Sequence, residues 1–138
     1  METLYYAAPL IGAVALLCAW WLSTWINRNG TGNARMQEIS SYIREGAMAF
    51  LMREYRTIVI FIVVMFLLLT FAIDLVTAGC FLLGAIFSVL AGFFGMRTAT
   101  SSNVRTAAAA QERGMAHALK VAFRGGAVMG LCVVGLGV

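Results

Sequence analysis

The sequence predicts an all-α membrane protein that has three full transmembrane helices plus a truncated fourth and forms part of a larger helical bundle. Of its 138 residues, 62% are hydrophobic and 12% are charged, whereas an ordinary soluble domain has about 25% charged residues. The hydrophobic residues lie in four long runs, and all ten Lys and Arg residues lie outside these runs. This separation is typical of membrane spans, because a cation at the centre of a span costs about 2.5–3.5 kcal/mol on insertion scales.

Residues 4–26 form the first predicted span. At a rise of about 1.5 Å per residue, a helix of this length crosses a ~30 Å hydrocarbon layer. No Lys or Arg precedes the run, so we interpret it as a true span and not as a cleaved signal peptide. Trp20, Trp21 and Trp25 cluster near its end, which is typical of an aromatic belt at a membrane interface.

Residues 27–57 begin with a polar turn that contains Gly30 and Gly32 and then mix charged and apolar residues at a helical period. The apolar positions on one face of this helix are Met36, Ile39, Ile43, Ala47, Phe50 and Leu51. An amphipathic helix that continues directly into an apolar run indicates a position at the membrane surface. Glu54 falls on the apolar face. We favour an acid that snorkels or pairs with an Arg, and the alternative is a contact with a neighbouring helix or a loop over a site.

Residues 58–76 and 79–96 form the second and third predicted spans. Asp74 lies near the end of the second span and close to Thr77 and Gly79, which predicts a tight turn at the opposite surface. In the third span, small residues at helical spacing predict a face on which helix backbones approach closely. The members of this face are Gly84, Ser88, Gly92 and Gly95.

Residues 97–124 form the second polar segment, and residues 127–138 begin a fourth apolar run. The alanine-rich part of the polar segment favours helix, and we expect Gly114 to interrupt it. His117 stands without a second His or a carboxylate at ligand spacing, so we interpret it as a surface residue. Residues 127–138 reach only ~18 Å at about 1.5 Å each, short of a ~30 Å core. We therefore expect the native reading frame to continue.

The placement of the basic residues predicts the topology. One block lies within residues 27–57 and the other within residues 97–124. The positive-inside rule places both blocks in the cytoplasm, and the N-terminus and the Asp74 turn then lie outside. The prediction is a multi-pass protein of the cell (plasma or inner) membrane, with the lipid bilayer as partner, in which residues 1–138 form the N-terminal portion of one multi-span domain.

The sequence contains no motif that identifies chemistry, and we predict no catalytic, substrate-binding or metal-binding residue in it. A P-loop, an HExxH motif and a Ser-His-Asp set are all missing, and the three cysteines are far apart. A magnesium phosphate site would need several carboxylates together, but only Glu38 and Glu45 share a helical face. Arg124, Gly125 and Gly126 could cradle an anion at a helix start, but we favour a helix N-terminus with a close-packing glycine pair.

Three stretches resemble a known family, the membrane-bound, ion-translocating inorganic pyrophosphatases. They read RMQEISSYIREGAMAFLMREY after the first span, GMRTATSSNVRTAAAA after the third, and ALKVAFRGGAVMGLCVVGLG at the start of the fourth. They keep the order of the family and cover nearly all of residues 34–138. Cys132 stands where the family more often has Ser.

The resemblance implies a parent pump that couples hydrolysis of inorganic pyrophosphate to transport of protons or sodium ions. It implies a bundle of sixteen helices whose inner ring of six carries Asp-rich catalytic motifs on later helices, beyond Val138. It also implies magnesium as cofactor, potassium as a further candidate, the remaining helices of the parent chain and a second copy in a homodimer as partners, and no nucleic acid. This segment would be outer-ring scaffold and inert on its own.

Two other classes of function stay open at this point. A small multidrug-type transporter of four helices would need an acid in the middle of its first span, and residues 4–26 contain none. A small non-enzymatic membrane protein with a structural or assembly role would be an intact chain that ends at Val138.

Overall fold

Four helices make up the structure, a computed structural model that describes the backbone of residues 2–138 and the side chains of residues 7–138. The helices are α1 (Glu2–Asn27), α2 (Ala34–Ala72), α3 (Leu75–Arg113) and α4 (Met115–Gly137). Each of the four is long and apolar enough to cross a membrane. The predicted all-α membrane class is confirmed.

The breaks between the helices follow from local chemistry. The Asn33 side chain accepts a hydrogen bond of 2.9 Å from the N–H of Met36 and caps the start of α2. Asp74 caps α3 in the same way, because its Oδ1 accepts from the N–H of Thr77 at 3.0 Å. Gly114 separates α3 from α4 with a φ of 80°, a left-handed conformation that favours glycine. The interruption at Gly114 and the turn at Asp74 lie where the sequence predicts them.

The Asp74 carboxyl is held in its charged form by this cap. Hydrogen bonds from the side chain of Thr77 and then from its backbone N–H lower the pKa of Asp74 from its ordinary value, because both favour the carboxylate. The cap is therefore fully formed above the ordinary pKa of an aspartate and is lost as the pH falls through the lowered value.

The amphipathic segment and the second apolar run form a single helix, as predicted. The 39 residues of α2 span ~58 Å at about 1.5 Å each, nearly twice the ~30 Å thickness of the hydrocarbon layer. Its first half faces α3 across an apolar cleft to which Ile39 and Ile43 contribute from α2 and Val104 and Ala107 from α3. Part of the apolar face of this half therefore lines a cleft against α3, and its position at the membrane surface stays a prediction.

The fourth helix begins well before the apolar run that suggested it. It starts at Met115 and contains 23 residues, or ~34 Å at about 1.5 Å each, so the short length expected from residues 127–138 applies only to its most apolar part. The polar first half is helical because Ala118, Val121 and Gly125 are buried there.

The helices lie side by side in the order α1, α4, α3, α2. α4 packs extensively against both α3 and α1, and α2 packs against α3, whereas α1 touches α3 only sparsely. In the part of the chain that the structure describes, α2 has no other neighbour. The most apolar 18 residues of α2 include no buried residue, so this helix presents most of its apolar surface outward.

Small residues bring the helices of this row together, mainly at positions other than the predicted ones. A Cβ atom placed on Gly12 of α1 would lie 2.9 Å from the carbonyl oxygen of Gly135 in α4. A Cβ atom on Gly125 of α4 would lie 2.6 Å from the Oγ atom of Ser102 in α3. These two contacts allow close approach of α4 to both of its neighbours, as expected where dispersion forces and not hydrophobicity drive the packing.

The predicted small-residue face of α3 packs only over its second half. Gly84 has open space where its side chain would be, and Ser88 is exposed. A Cβ atom placed on Gly92 would lie 3.6 Å from the hydroxyl oxygen of Tyr55 and would meet no helix backbone, whereas Gly95 is buried against Met129. Among the four described helices, the predicted packing face is therefore occupied at Gly95 and not at Gly84 or Ser88, where close approach of a further helix stays a prediction.

Substitution of two adjacent glycines of α4 tests this packing. Gly125→Ala places a methyl group inside contact distance of Ser102, whereas Gly126→Ala meets no atom within 4 Å. Because alanine favours a helix interior over glycine by about 1 kcal/mol, Gly126→Ala should keep or slightly raise the thermal midpoint of the detergent-solubilised protein. We expect Gly125→Ala to lower the midpoint despite the same gain. Equal midpoints would contradict the close contact between α3 and α4.

Candidate functional site

Polar side chains collect at one end of the helix row. This basic end consists of residues 27–57 and 97–124, that is, the connection after α1, the first half of α2, the last part of α3 and the first half of α4. All ten Lys and Arg residues lie in it. The chain brings these segments together because α2 and α3 are antiparallel and α1 ends where α4 begins.

A cluster around Trp25 joins α1 to α4 at the basic end. The guanidinium carbon of Arg124 lies 3.7 Å from the centre of the Trp25 ring, a cation–π geometry. The His117 ring lies 6.4 Å from the same tryptophan, and its Nε2 atom is 3.4 Å from Oδ1 of Asn29. The Asn29 amide nitrogen in turn donates to the Trp25 carbonyl oxygen at 3.1 Å. We call these four residues the tryptophan junction.

The tryptophan junction corrects two interpretations based on sequence. His117 is half-buried and lies between helices, so its description as a surface residue is wrong. Trp25 is also half-buried and packs against α4, whereas Trp20 and Trp21 are 71% and 63% exposed. The aromatic belt stays a prediction for the two exposed rings. Sequence reasoning missed the junction because Trp25 and Arg124 are far apart in the chain.

The structure decides between the two interpretations of Arg124, Gly125 and Gly126 and does not support an anion cradle at a helix start. Arg124, Gly125 and Gly126 lie in the interior of α4, which begins at Met115, so they have no free helix N-terminus to offer. Gly125 is buried and faces Ser102, whereas Gly126 faces open space. The close-packing explanation is correct for Gly125 alone.

The acidic residues of the described segment do not assemble into a site. Glu38 pairs with Arg35 at 2.9 Å on the surface, and Glu45 and Glu54 are exposed. Among residues whose side chains are described, no three His, Cys, Asp or Glu come close enough to hold a metal ion. This donor set does not fit magnesium, and no catalytic step can be derived through such an ion here.

The strongest candidate site is a cleft at the basic end between α1, α2 and α3. It has a volume of ≈ 610 Å³ and contains three arginines, Arg44 from α2 and Arg97 and Arg105 from α3. We call it the arginine cleft. Its polar lining consists of Ser23, Asn27, Thr98 and Ser101, and its aromatic lining of Trp20 and Phe94. The arrangement can bind an anion, because it offers several donors and no carboxylate.

A model of the family described as inorganic H+ pyrophosphatase matches residues 13–138 of the chain. The chain belongs to this family. Over 131 residues it is 51% identical to a protein of Clostridium tetani that carries the provisional name K(+)-stimulated pyrophosphate-energized sodium pump. The matched region is 95% of this chain and 19% of that protein. The family resemblance seen in the three sequence stretches is thereby confirmed.

Two further members of the pyrophosphatase family are nearly as similar. A K(+)-insensitive pyrophosphate-energized proton pump of Methanosarcina mazei is 47% identical over 138 residues, which is 99% of this chain and 20% of that protein. A K(+)-stimulated pyrophosphate-energized sodium pump of Thermotoga maritima is 42% identical over 136 residues, 98% of this chain and 18% of that protein. The chain spans about one fifth of the length of these relatives. Because proton and sodium pumps match alike, this segment carries features that both kinds of pump share.

Removal of one cation from the tryptophan junction tests whether it holds α1 to α4. Arg124→Gln removes the cation over Trp25 and should lower the stability of this protein by about 1 kcal/mol. Lys120→Gln removes an exposed cation one turn earlier on the same helix and should change the stability little. Thermal midpoints in detergent compare the two. A loss from Lys120→Gln that matches the loss from Arg124→Gln would mean that net charge, and not the ring contact, is responsible.

Proposed function

We propose that this chain is the N-terminal, outer-helix portion of a membrane pump that couples hydrolysis of inorganic pyrophosphate to transport of protons or sodium ions. The observation that carries this proposal is the family match over residues 13–138 together with relatives that are all about five times longer. Membership of the family supports the reaction, and the short coverage supports the assignment to one portion of the pump.

The role of this portion is that of a scaffold. The absence of a carboxylate cluster from the described side chains supports placing pyrophosphate and its magnesium on other helices of the parent chain. Potassium is a further candidate ion of the parent pump, because the names of the relatives include both stimulation by potassium and insensitivity to it. The outward apolar surface of α2 supports contacts with lipid, with the remaining helices, or with a second copy in a homodimer.

The proposal includes a topology in which residues 1–138 belong to one multi-span membrane domain. The N-terminus and the Asp74 turn lie outside, and the basic end lies in the cytoplasm. The positive-inside rule supports this orientation, since short loops rich in Lys and Arg are retained on the cytoplasmic side.

Transport by reconstituted protein tests the pump function. The product of the complete reading frame, placed in liposomes with magnesium, should release phosphate from pyrophosphate and move protons or sodium ions only while it does so. A pH-sensitive dye and radioactive sodium separate the two ions. Liposomes that hold residues 1–138 alone should show no release above empty liposomes. Magnesium-dependent turnover by the segment alone would contradict its role as a scaffold, and a full-length product without turnover would contradict the pump.

Labelling of single cysteines tests the topology. After replacement of Cys18, Cys80 and Cys132 by alanine, Thr77→Cys at the α2–α3 turn and Asn103→Cys at the basic end each provide one exposed position. A membrane-impermeant maleimide added to intact cells should label Thr77→Cys and not Asn103→Cys, and both should react after lysis. The reverse pattern in intact cells would invert the proposed orientation.

A further inference from the structure

The arginine cleft lies where the apolar parts of the helices end. Arg97 directly follows the third apolar run, residues 79–96, and Asn27 is the last residue of α1. Trp20 and Phe94 therefore line the side of the cleft that belongs to the apolar layer, whereas Arg44 and Arg105 line the side that belongs to the basic end. A ligand in the cleft would meet both environments.

The charges in the cleft are of one sign. Its lining includes Arg44, Arg97 and Arg105 and no acidic residue, and within the described side chains the one ion pair, between Arg35 and Glu38, lies outside it. Arg44 and Arg105 are close enough to repel each other. Cations gathered in this way are stabilised by an anion, because a partly desolvated charge without a counter-charge is costly.

One of the three arginines has a polar atom without a partner. Arg105 donates through Nη1 to the carbonyl oxygen of Ser101 at 2.8 Å and also to the hydroxyl oxygen of the same residue, which fixes the guanidinium plane against α3. Its Nε atom is buried and has no partner among the described atoms. The burial of Nε leaves the other guanidinium nitrogen, Nη2, as the group that can serve a ligand, and guanidinium groups are well suited to bind phosphate oxygens.

We propose that the arginine cleft binds the phosphate group of an anionic phospholipid from the inner leaflet. The phosphate lies among Arg44, Arg97 and Arg105, and the acyl chains extend along Trp20 and Phe94 toward the apolar layer. Basic pockets between spans on the cytoplasmic side are suited to such headgroups. A lipid fits this cleft better than free pyrophosphate, because pyrophosphate binds together with magnesium and the cleft lining has no carboxylate for that ion. The inference does not rest on the pump reaction.

Lipid retention by the complete protein tests the proposal. The protein from the full reading frame is stripped of lipid in detergent, and native mass spectrometry measures binding of phosphatidylglycerol and of phosphatidylcholine. The wild type should retain phosphatidylglycerol in preference. Arg44→Gln and Arg105→Gln should each weaken this binding about tenfold, since each removes a hydrogen bond between charged groups. Arg53→Gln, which removes an exposed cation from the same helix as Arg44 without touching the cleft, should leave it unchanged.

A second variant covers the case in which loss of an arginine prevents folding. Thr98→Asp keeps all three guanidinium groups and adds a negative charge to the cleft wall, and it should reduce phosphatidylglycerol binding to a similar extent. Excess inorganic phosphate or pyrophosphate should not displace the lipid. The proposal is overturned by equal retention of the two lipids, by an equal loss from Arg53→Gln, by displacement of the lipid by either free anion, or by a wild-type protein whose other helices fill the cleft and exclude lipid.

Discussion

Exclusion of cations from hydrocarbon determines how these four helices are arranged. Two apolar runs separate the two basic blocks of the chain, so α2 and α3 must form an antiparallel pair if both blocks are to stay on one side of the apolar layer. The same constraint restricts the hydrocarbon layer to the apolar halves of α2 and α3, which are both much longer than a membrane is thick. Their basic halves continue as helix beyond the layer and pack against each other, and the tryptophan junction then joins α1 and α4 at the same level.

Packing within the row depends on how closely backbones approach and not on burial of large apolar residues. The core residues are mainly alanines, with few larger side chains such as Ile26, Val121 and Val128. The close contacts of Gly12 with Gly135 and of Gly125 with Ser102 join α4 to α1 on one side and to α3 on the other, as expected for one of the two inner helices of the row. The outer helix α2 is instead tied to α3 by a hydrogen bond of 3.0 Å from the Tyr55 hydroxyl to the carbonyl oxygen of Val89. Its uncovered apolar surface agrees with a segment that is one fifth as long as its relatives.

Sequence patterns correctly predicted those features of the fold that depend on residues close together in the chain. Composition and hydropathy predicted the membrane class, the 3.6-residue period predicted a helix that continues into the second span, and Asp74 and Gly114 marked real helix ends. Sequence patterns failed where contacts with residues far away in the chain determine the local structure. Hydropathy did not identify the start of α4 at Met115, because small residues and contacts with α3 stabilise that polar half.

The same reason explains the errors at individual residues. Gly84 and Gly95 are equivalent in a helical pattern, yet only Gly95 has a neighbour, Met129, and no local signal distinguishes the two. The arginine cleft could not be predicted because Arg44 and Arg105 come from different helices and meet only after the α2–α3 turn forms. The family resemblance was recognisable from sequence because it depends on residue identity in order along the chain, which needs no knowledge of contacts.

The short turn at Asp74 has a consequence for membrane insertion. Only Ile73 and Asp74 separate two helices of 39 residues, so the apolar halves of α2 and α3 must enter the bilayer together as a hairpin. Asp74 is the sole charged residue between residues 58 and 96, so in the proposed topology insertion would carry a single carboxyl group across the hydrocarbon while every cation stays behind. This carboxylate caps the start of α3 and satisfies a backbone N–H group there, and in the proposed topology that is the place where the returning helix enters the lipid.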